Sequence, residues 1–168
     1  MTGQKAELRI WLMGVSPEDR LKELGIRLSV APAPLGSYLP CVRAGNLLFL
    51  SGILPLREGK LMRTGRVGES VSINEAEEEA RQVVINALSI LKACLGNLGR
   101  VVRCVKLNGY VASSPDFTEQ PKVLNAASDL LCEIFGENGR HARAAVGVSV
   151  LPLNSPIEID FIFEVAEH

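Results

Sequence analysis

The sequence predicts a single α+β domain in which two long helices pack on one face of a mixed sheet. Residues 72–95 and 117–135 carry apolar side chains at helical spacing. Apolar stretches at 47–50, 101–112 and 141–166 have the composition and length of strands. This order of elements within 168 residues favours one compact domain with a sizeable core.

The first long helix is predicted from its ends as well as from its apolar stripe. Ser72 and Glu75 form a capping box, and Gly96 can end the helix. The acidic segment EAEEE at 75–79 is predicted to be a solvated first turn that the helix dipole favours, and not a metal site.

Similar end signals mark the second long helix and a shorter one. Pro121 suits the first turn of the helix at 117–135, and Gly136 can stop it. A short helix should begin at Ser16, which is followed by Pro and two acidic residues, and should end by Gly25.

The last part of the domain, residues 141–166, is predicted to be a hairpin with its turn at 151–156. Its first strand has an apolar face and an opposite face, made by Ala144, Val146, Val148 and Val150 and by Arg143, Ala145, Gly147 and Ser149. If the apolar faces of both strands align, Arg143 and Glu158 share the other face. A small-lined concavity with these two charges suits a small anionic substrate, and solvated surface charges are the alternative.

The hairpin register separates those two charges along the sheet. Arg143 would lie opposite about Glu164, and Glu158 opposite about Ser149. The gap of about six residues corresponds to about 20 Å at roughly 3.3 Å per residue. One site that uses both residues would therefore take them from different chains.

Composition excludes several classes of function. The net charge is −1 and no Lys/Arg run is present, which argues against a nucleic-acid partner. The apolar run near the N-terminus is too short for a signal peptide or a membrane anchor, so a cytoplasmic protein is expected. The four cysteines lack a CxxC spacing and are expected to be reduced thiols. With only two histidines, the sequence indicates no metal site.

The predicted layers leave one face of the sheet uncovered. The strands at 47–50 and 101–111 are apolar on both faces, whereas two helices cover only one. Because no further segment is left to cover the second face, self-association is expected.

Several segments, in their order and spacing, carry a family resemblance. They are ARAAV at 142–146, LP at 151–152, IEI at 157–159, GSY at 36–38, the stretch from Gly45 to Gly52, and NA at 125–126. In this combination the chain resembles the RidA (YjgF-type) enamine/imine deaminases, from about Ala31 to Val165.

The resemblance implies a fold, an assembly and a reaction. It implies a chorismate-mutase-like α+β fold and a homotrimer with sites in the clefts between subunits. The implied activity is that of a 2-iminobutanoate/2-iminopropanoate deaminase, which hydrolyses 2-aminoacrylate-type enamines and imino acids to 2-keto acids and ammonia. No cofactor, metal, nucleic acid or membrane is implied.

The resemblance also assigns roles to residues. Arg143 falls at the family's substrate-carboxylate anchor and Glu158 at its water-activating acid. The pocket-lining positions fall at Tyr38, Ser51, Gly52, Asn125 and Ala145.

Three features depart from the family pattern. Ala145 replaces a common cysteine, and Ile53 replaces a frequent glutamine. Residues 1–28 form an N-terminal extension with the short helix, outside the domain at 29–168. The changes at Ala145 and Ile53 alter the expected pocket wall, so they affect which substrate is expected more than which fold is expected.

Two other functions compete with the hydrolase. A trimer that binds a small metabolite or another protein without turnover would fit the changed pocket wall, whereas the retained Glu158 favours the enzyme. A ribonuclease or translation inhibitor is disfavoured, because the sequence offers no catalytic histidine pair and no basic groove.

Overall fold

The computed structural model describes residues 15–34 and 36–167. Three helices form: α1 at Pro17–Glu23, α2 at Ile73–Leu95 and α3 at Gln120–Phe135. Five strands form one sheet: β1 at Cys41–Ala44, β2 at Leu47–Ile53, β3 at Val101–Ala112, β4 at Ala142–Val148 and β5 at Ile157–Val165. Short 3₁₀ turns lie at Leu98–Arg100, Gly136–Gly139 and Pro152–Asn154.

The sheet is mixed, with the strand order β1-β2-β5-β3-β4. Strands β3 and β4 are parallel, and the other neighbours are antiparallel. The prediction of an α+β domain with a mixed sheet and two long helices is confirmed.

Helix α2 has both ends that the sequence predicts, and α3 ends before Gly136 as predicted. The Ser72 backbone N–H donates to Glu75 Oε2 at 2.9 Å, and the Glu75 N–H donates to Ser72 Oγ at 3.3 Å, which closes the capping box. Gly96 ends α2 with a φ of 86°, a conformation that favours glycine. Helix α3 begins at Gln120, three residues later than predicted, because residues 114–117 first form a turn.

The helices pack on the sheet face to which the odd-numbered residues of β5 point. Ile157, Ile159, Phe161, Phe163 and Val165 are all buried there. On β3, an added Cβ at Gly109 would overlap the side chain of Leu124 in α3, so residue 109 faces the helices closely. The core therefore lies between this face and the apolar stripes of α2 and α3.

The predicted C-terminal hairpin is wrong. Strand β4 lies at the edge of the sheet, parallel to β3, and β5 inserts between β2 and β3. Arg143 pairs with the buried Leu107, whereas Glu158 pairs with Tyr110. Since paired residues share a face, Arg143 lies on the helix side and Glu158 on the opposite side. The shared face and the six-residue offset are therefore also wrong.

The face opposite the helices, called the open face below, carries exposed apolar side chains in the single chain. Phe49 is 40% exposed and Val146 is 45% exposed. They pair with Ile162 and Tyr110 respectively, which places both on this face. The second face of the sheet is therefore not fully covered within one chain, and the homotrimer stays a prediction.

The acidic first turn of α2 is not wholly solvated, because Glu79 is fully buried. Arg57 Nη1 donates to both of its carboxylate oxygens, at 2.9 and 3.1 Å, and Arg63 Nη1 donates to Oε1 at 2.7 Å. Arg63 also contacts Glu78 and Glu75. Glu79 thus ties the loop at 57–63 to the helix.

Replacing Glu79 with alanine should lower the free energy of unfolding by about 1–3 kcal/mol, because three charge-assisted hydrogen bonds are lost while both arginines keep access to water. Glu78→Ala is the matched control, since Glu78 is exposed and should cost about 0.5 kcal/mol or less. Urea denaturation measures both. Equal losses in the two variants would contradict the role given to Glu79.

Two other expectations need correction. Cys41 and Cys94 form a disulfide that joins the start of β1 to the end of α2, so these two are not reduced thiols, while Cys104 and Cys132 are. Gly59 and Gly65 also predict a turn plus a short strand at 57–66, but the structure has no strand there, only an isolated bridge between Arg57 and Lys60. The cytoplasmic location stays a prediction.

The N-terminal extension is described only in part. Residues 1–14 lie outside the described residues, and α1 buries Leu21 in the common core. The domain boundary at residue 28 stays a prediction. None of the described helices is long and apolar enough to cross a membrane.

Candidate functional site

Four of the residues assigned to the site line one cavity of about 550 Å³. Tyr38, Ser51, Gly52 and Glu158 meet there at the end of β2 and the start of β5. The remaining lining is mostly apolar and includes Pro32, Ile53, Leu54, Leu56, Ile90 and Pro152. The cavity therefore combines one carboxylate with an apolar wall, as small-molecule sites commonly do.

The position of Glu158 depends on the absence of a side chain at residue 52. The register between β2 and β5 shifts between Leu50 and Ile53, so Gly52 lies in this irregular stretch. A Cβ added at Gly52 would overlap the carboxylate of Glu158. Glycine thus lets the carboxylate lie directly against the β2 backbone at the cavity wall.

Ser51 joins the loop that carries Tyr38 to β2. The Ser51 hydroxyl donates to the Leu39 carbonyl at 2.6 Å, and its backbone N–H donates to the Pro40 carbonyl at 3.1 Å. Tyr38 is 46% exposed at the cavity mouth. Ser51 thus holds the cavity wall in place, and its hydroxyl proton is already committed to that contact.

Glu158 is half-buried, and burial raises the pKa of its carboxyl above the ordinary value. The charge of Asp160, two residues along the same strand face, raises that pKa further. Asp160 itself accepts hydrogen bonds from Asn108 Nδ2 at 2.9 Å and from Tyr110 Oη at 3.1 Å. A carboxylate with a raised pKa is a better proton acceptor and donor near neutral pH.

Arg143 lies away from this cavity, on the helix side of edge strand β4. Its Nη1 donates to Asn125 Oδ1 and to Ser128 Oγ, both at 3.0 Å. Its side chain is exposed, and among the described residues its Nη2 and Nε have no hydrogen-bond partner. That side of the guanidinium can still bind a carboxylate in a bidentate manner. Ala145 lies on the same side of β4, paired with Gly109.

Within one chain the two groups are far apart. Through β3, Glu158 aligns with Val146, three residues along β4 from Arg143 and two strand spacings away from it. Strand geometry makes the distance along β4 and the distance across the two strand spacings about 10 Å each. Because the side chains also point to opposite faces, the structure brings Tyr38, Ser51, Gly52 and Glu158 together and leaves Arg143, Asn125 and Ala145 elsewhere.

Four polar neighbours of these groups are not among the site residues predicted from the sequence. Asp160 could have been found, because it follows Glu158 by two residues on one strand. Ser128 could also have been found, because it lies three residues from Asn125 on one helix face. Asn108 and Tyr110 had no such signal, since their contact depends on how β3 pairs with β5.

Comparison with known proteins matches residues 18–166 to the family described as "YjgF/chorismate_mutase-like, putative endoribonuclease". The chain belongs to this family. The match covers the cavity, β4 and all of α1 except Pro17, and it agrees with the mixed sheet and two long helices described above.

Known proteins match most of this chain. Protein TCP17 of Trypanosoma cruzi is 46% identical over 145 residues, which cover 86% of this chain and 91% of that protein. The crystal structure of Atu1372 from Agrobacterium tumefaciens, a protein of unknown function, is 48% identical with a TM-score of 0.84 and covers 89% of this chain and 92% of that one. A 2-iminobutanoate/2-iminopropanoate deaminase of Dermatophagoides farinae is 30% identical over 142 residues, with 82% and 92% coverage.

Proposed function

We propose that this protein hydrolyses reactive 2-imino acids and their enamine tautomers to 2-keto acids and ammonia. The observation that carries the proposal is the half-buried carboxylate of Glu158, with its raised pKa, against Gly52 in a mostly apolar cavity. The 30% identity to a 2-iminobutanoate/2-iminopropanoate deaminase of Dermatophagoides farinae supports it. The atoms balance, because water adds to the C=N carbon and the nitrogen leaves as ammonia.

In this reaction Glu158 acts as the general base. It accepts a proton from the attacking water and returns it to the departing nitrogen, a contribution of about 10²- to 10⁴-fold. Because its pKa is raised, kcat should fall as the pH drops through that pKa and Glu158 becomes protonated. The imino acid is already electrophilic, so a single base and correct positioning suffice.

The substrate carboxylate is bound by Arg143. The Nη2 and Nε atoms of the guanidinium can donate two parallel hydrogen bonds to it, which fixes the reacting carbon. Since Arg143 and Glu158 lie on opposite faces of one chain, the complete site takes them from adjacent subunits of a homotrimer.

The exposed apolar side chains of the open face support the homotrimer. Phe49 and Val146 would be buried in such an assembly, which favours association. Sedimentation or light scattering should give a trimer at micromolar concentration. A stable monomer would contradict both the proposed homotrimer and the site shared between its subunits.

The turnover assay tests the function directly. Imino acids are generated in place from several amino acids by an amino-acid oxidase, and the loss of imine is followed with and without the protein. The apolar cavity wall, which includes Ile53 and Ile90, predicts faster hydrolysis of imines from leucine or methionine than of those from glutamate.

A second candidate is a trimer that binds metabolites without turnover. The replacement of a family cysteine by Ala145 and of a glutamine by Ile53 favours it. Saturable binding of 2-keto acids without any acceleration of imine loss would support this candidate over the hydrolase.

Gly52→Ala should reduce kcat by at least roughly tenfold, because the new Cβ displaces the Glu158 carboxylate from the cavity wall. Gly99→Ala is the matched control, since an added Cβ there would meet only the Asn97 side chain at 3.2 Å, far from the cavity. Steady-state kinetics on both variants, with circular dichroism for folding, measures the effect. Unchanged kcat in a folded Gly52→Ala protein would contradict the role of Glu158 as the general base.

A further inference from the structure

We propose that Ser128 and His141 are positioning residues that hold Arg143 in the orientation needed to bind the substrate carboxylate. This inference rests on the proposed function, which gives Arg143 its ligand. It concerns side chains that the family resemblance leaves without a role. The three side chains and one backbone carbonyl form a continuous chain of hydrogen bonds.

The distances define that chain. Ser128 Oγ lies 3.0 Å from Arg143 Nη1 and 3.1 Å from His141 Nε2. His141 Nδ1 lies 2.7 Å from the Gly139 carbonyl oxygen. All three distances are those of ordinary hydrogen bonds.

The chemistry of each group decides which atom donates and which accepts in every hydrogen bond of this series. A carbonyl oxygen only accepts, so His141 Nδ1 carries the proton and Nε2 of the neutral ring is an acceptor. A guanidinium only donates, so the Ser128 hydroxyl accepts from Arg143 and donates to His141. Every group then has a partner of the correct kind.

The backbone around His141 fixes the last acceptor of this hydrogen-bond series, the Gly139 carbonyl. An added Cβ at Gly139 would overlap the Leu131 carbonyl of α3, so the Gly139 backbone lies directly against that helix. The Gly139 carbonyl therefore has a set position relative to Ser128, which is on the same helix. His141 bridges the helix and the beginning of β4, two residues before Arg143.

Helix α3 also decides which part of the guanidinium remains available. Asn125 and Ser128 are three residues apart on one helix face and both accept from Nη1 of Arg143. Holding one nitrogen at two points restricts rotation of the guanidinium plane. The remaining edge, with Nη2 and Nε, is left for the substrate carboxylate.

This series of hydrogen bonds requires a neutral His141. Burial holds the pKa of His141 below its usual value, and the charge of Arg143 lowers it further, against the opposing effect of the Gly139 carbonyl. In the part of the chain that the structure describes, the groups that face the ring are Ser128 from α3, Gly139 from the preceding turn and the charged Arg143 from β4. A protonated ring would donate from Nε2, so Ser128 would lose its acceptor.

The first test measures binding of the product 2-oxobutanoate by calorimetry, together with turnover of 2-iminobutanoate. Ser128→Ala should weaken binding and raise KM by roughly tenfold while kcat stays within about twofold, because positioning is lost but Glu158 is intact. Ser128→Thr retains the hydroxyl and should recover most of the affinity. Ser89→Ala is the control, since that hydroxyl in α2 donates to the Ile85 carbonyl of its own helix.

The second test follows pH and the imidazole tautomer. The wild-type affinity for 2-oxobutanoate should fall as the pH drops and His141 becomes charged, and this dependence should vanish in His141→Gln. With only two histidines in the chain, ¹⁵N spectra assigned with that variant should show the Nδ1-protonated tautomer at pH 7.

The outcomes separate this inference from the proposed function. Wild-type affinity in folded Ser128→Ala, or a charged or Nε2-protonated His141 at pH 7, would overturn the positioning role even if the wild type hydrolyses imines. If the wild type hydrolyses no imine yet binds 2-oxobutanoate through Arg143 and Ser128, the hydrolase fails and the positioning role stands.

Discussion

Replacing Arg143 with alanine is expected to abolish imine turnover and carboxylate binding while leaving the fold intact. Loss of a charge-assisted bidentate contact should lower kcat/KM by at least roughly 10²-fold. The fold should survive because the side chain is exposed and, within residues 15–34 and 36–167, it bonds to Asn125 and Ser128 alone. Circular dichroism, native mass and steady-state kinetics measure the three expectations.

Two further variants separate geometry from charge. Arg143→Lys retains the cation but loses the planar fork, so it should also be poor. Arg140→Ala is the matched control, because Arg140 is an exposed cation three residues away that contacts Glu137 at 3.2 Å. Near-normal kcat/KM in Arg143→Lys would mean that charge alone matters. Normal turnover in Arg143→Ala would contradict the proposal that Arg143 binds the substrate carboxylate.

The helices could be predicted because their signals are local. The capping residues Ser72 and Glu75 and the terminal Gly96 act within one turn of α2, so the sequence pattern locates both ends. The apolar stripe of α3 lies in a continuous segment for the same reason. No distant contact is needed to decide either helix.

The strand partners could not be predicted in the same way. Alternation gives the two faces of β4 but not its neighbour, because pairing is decided by contacts far apart in sequence. Alternation therefore predicts Arg143 on the face of Glu158, whereas β4 pairs with β3 instead of folding back on β5. The candidate residues were found by resemblance, but their arrangement required the register.

Glu79 illustrates a second limit of sequence patterns. A run of four glutamates and an alanine is typical of a solvated helix start. The burial of Glu79 depends on Arg57 and Arg63, which lie 16 to 22 residues earlier and return to the helix through the loop. Charge pairing across such a distance leaves no periodic signal.

Mixing inactive subunits should restore activity, because the complete site takes Arg143 from one chain and Glu158 from the next. Arg143→Ala and Glu158→Ala proteins, each inactive alone, are unfolded together in equal amounts and refolded. A cleft is intact when one variant supplies Arg143 and the other supplies Glu158. Random assembly therefore predicts about one quarter of the wild-type activity.

A parallel mixture decides between a shared site and a site within one chain. Wild type is refolded with an equal amount of the double variant Arg143→Ala/Glu158→Ala. A shared site requires two wild-type neighbours and gives about one quarter of the full activity, whereas a site within one chain gives about one half. The opposite faces and the separations of about 10 Å along and across the strands predict one quarter in both mixtures. No recovery in the first mixture and one half in the second, with mixed trimers present by native mass spectrometry, would place the whole site within one chain.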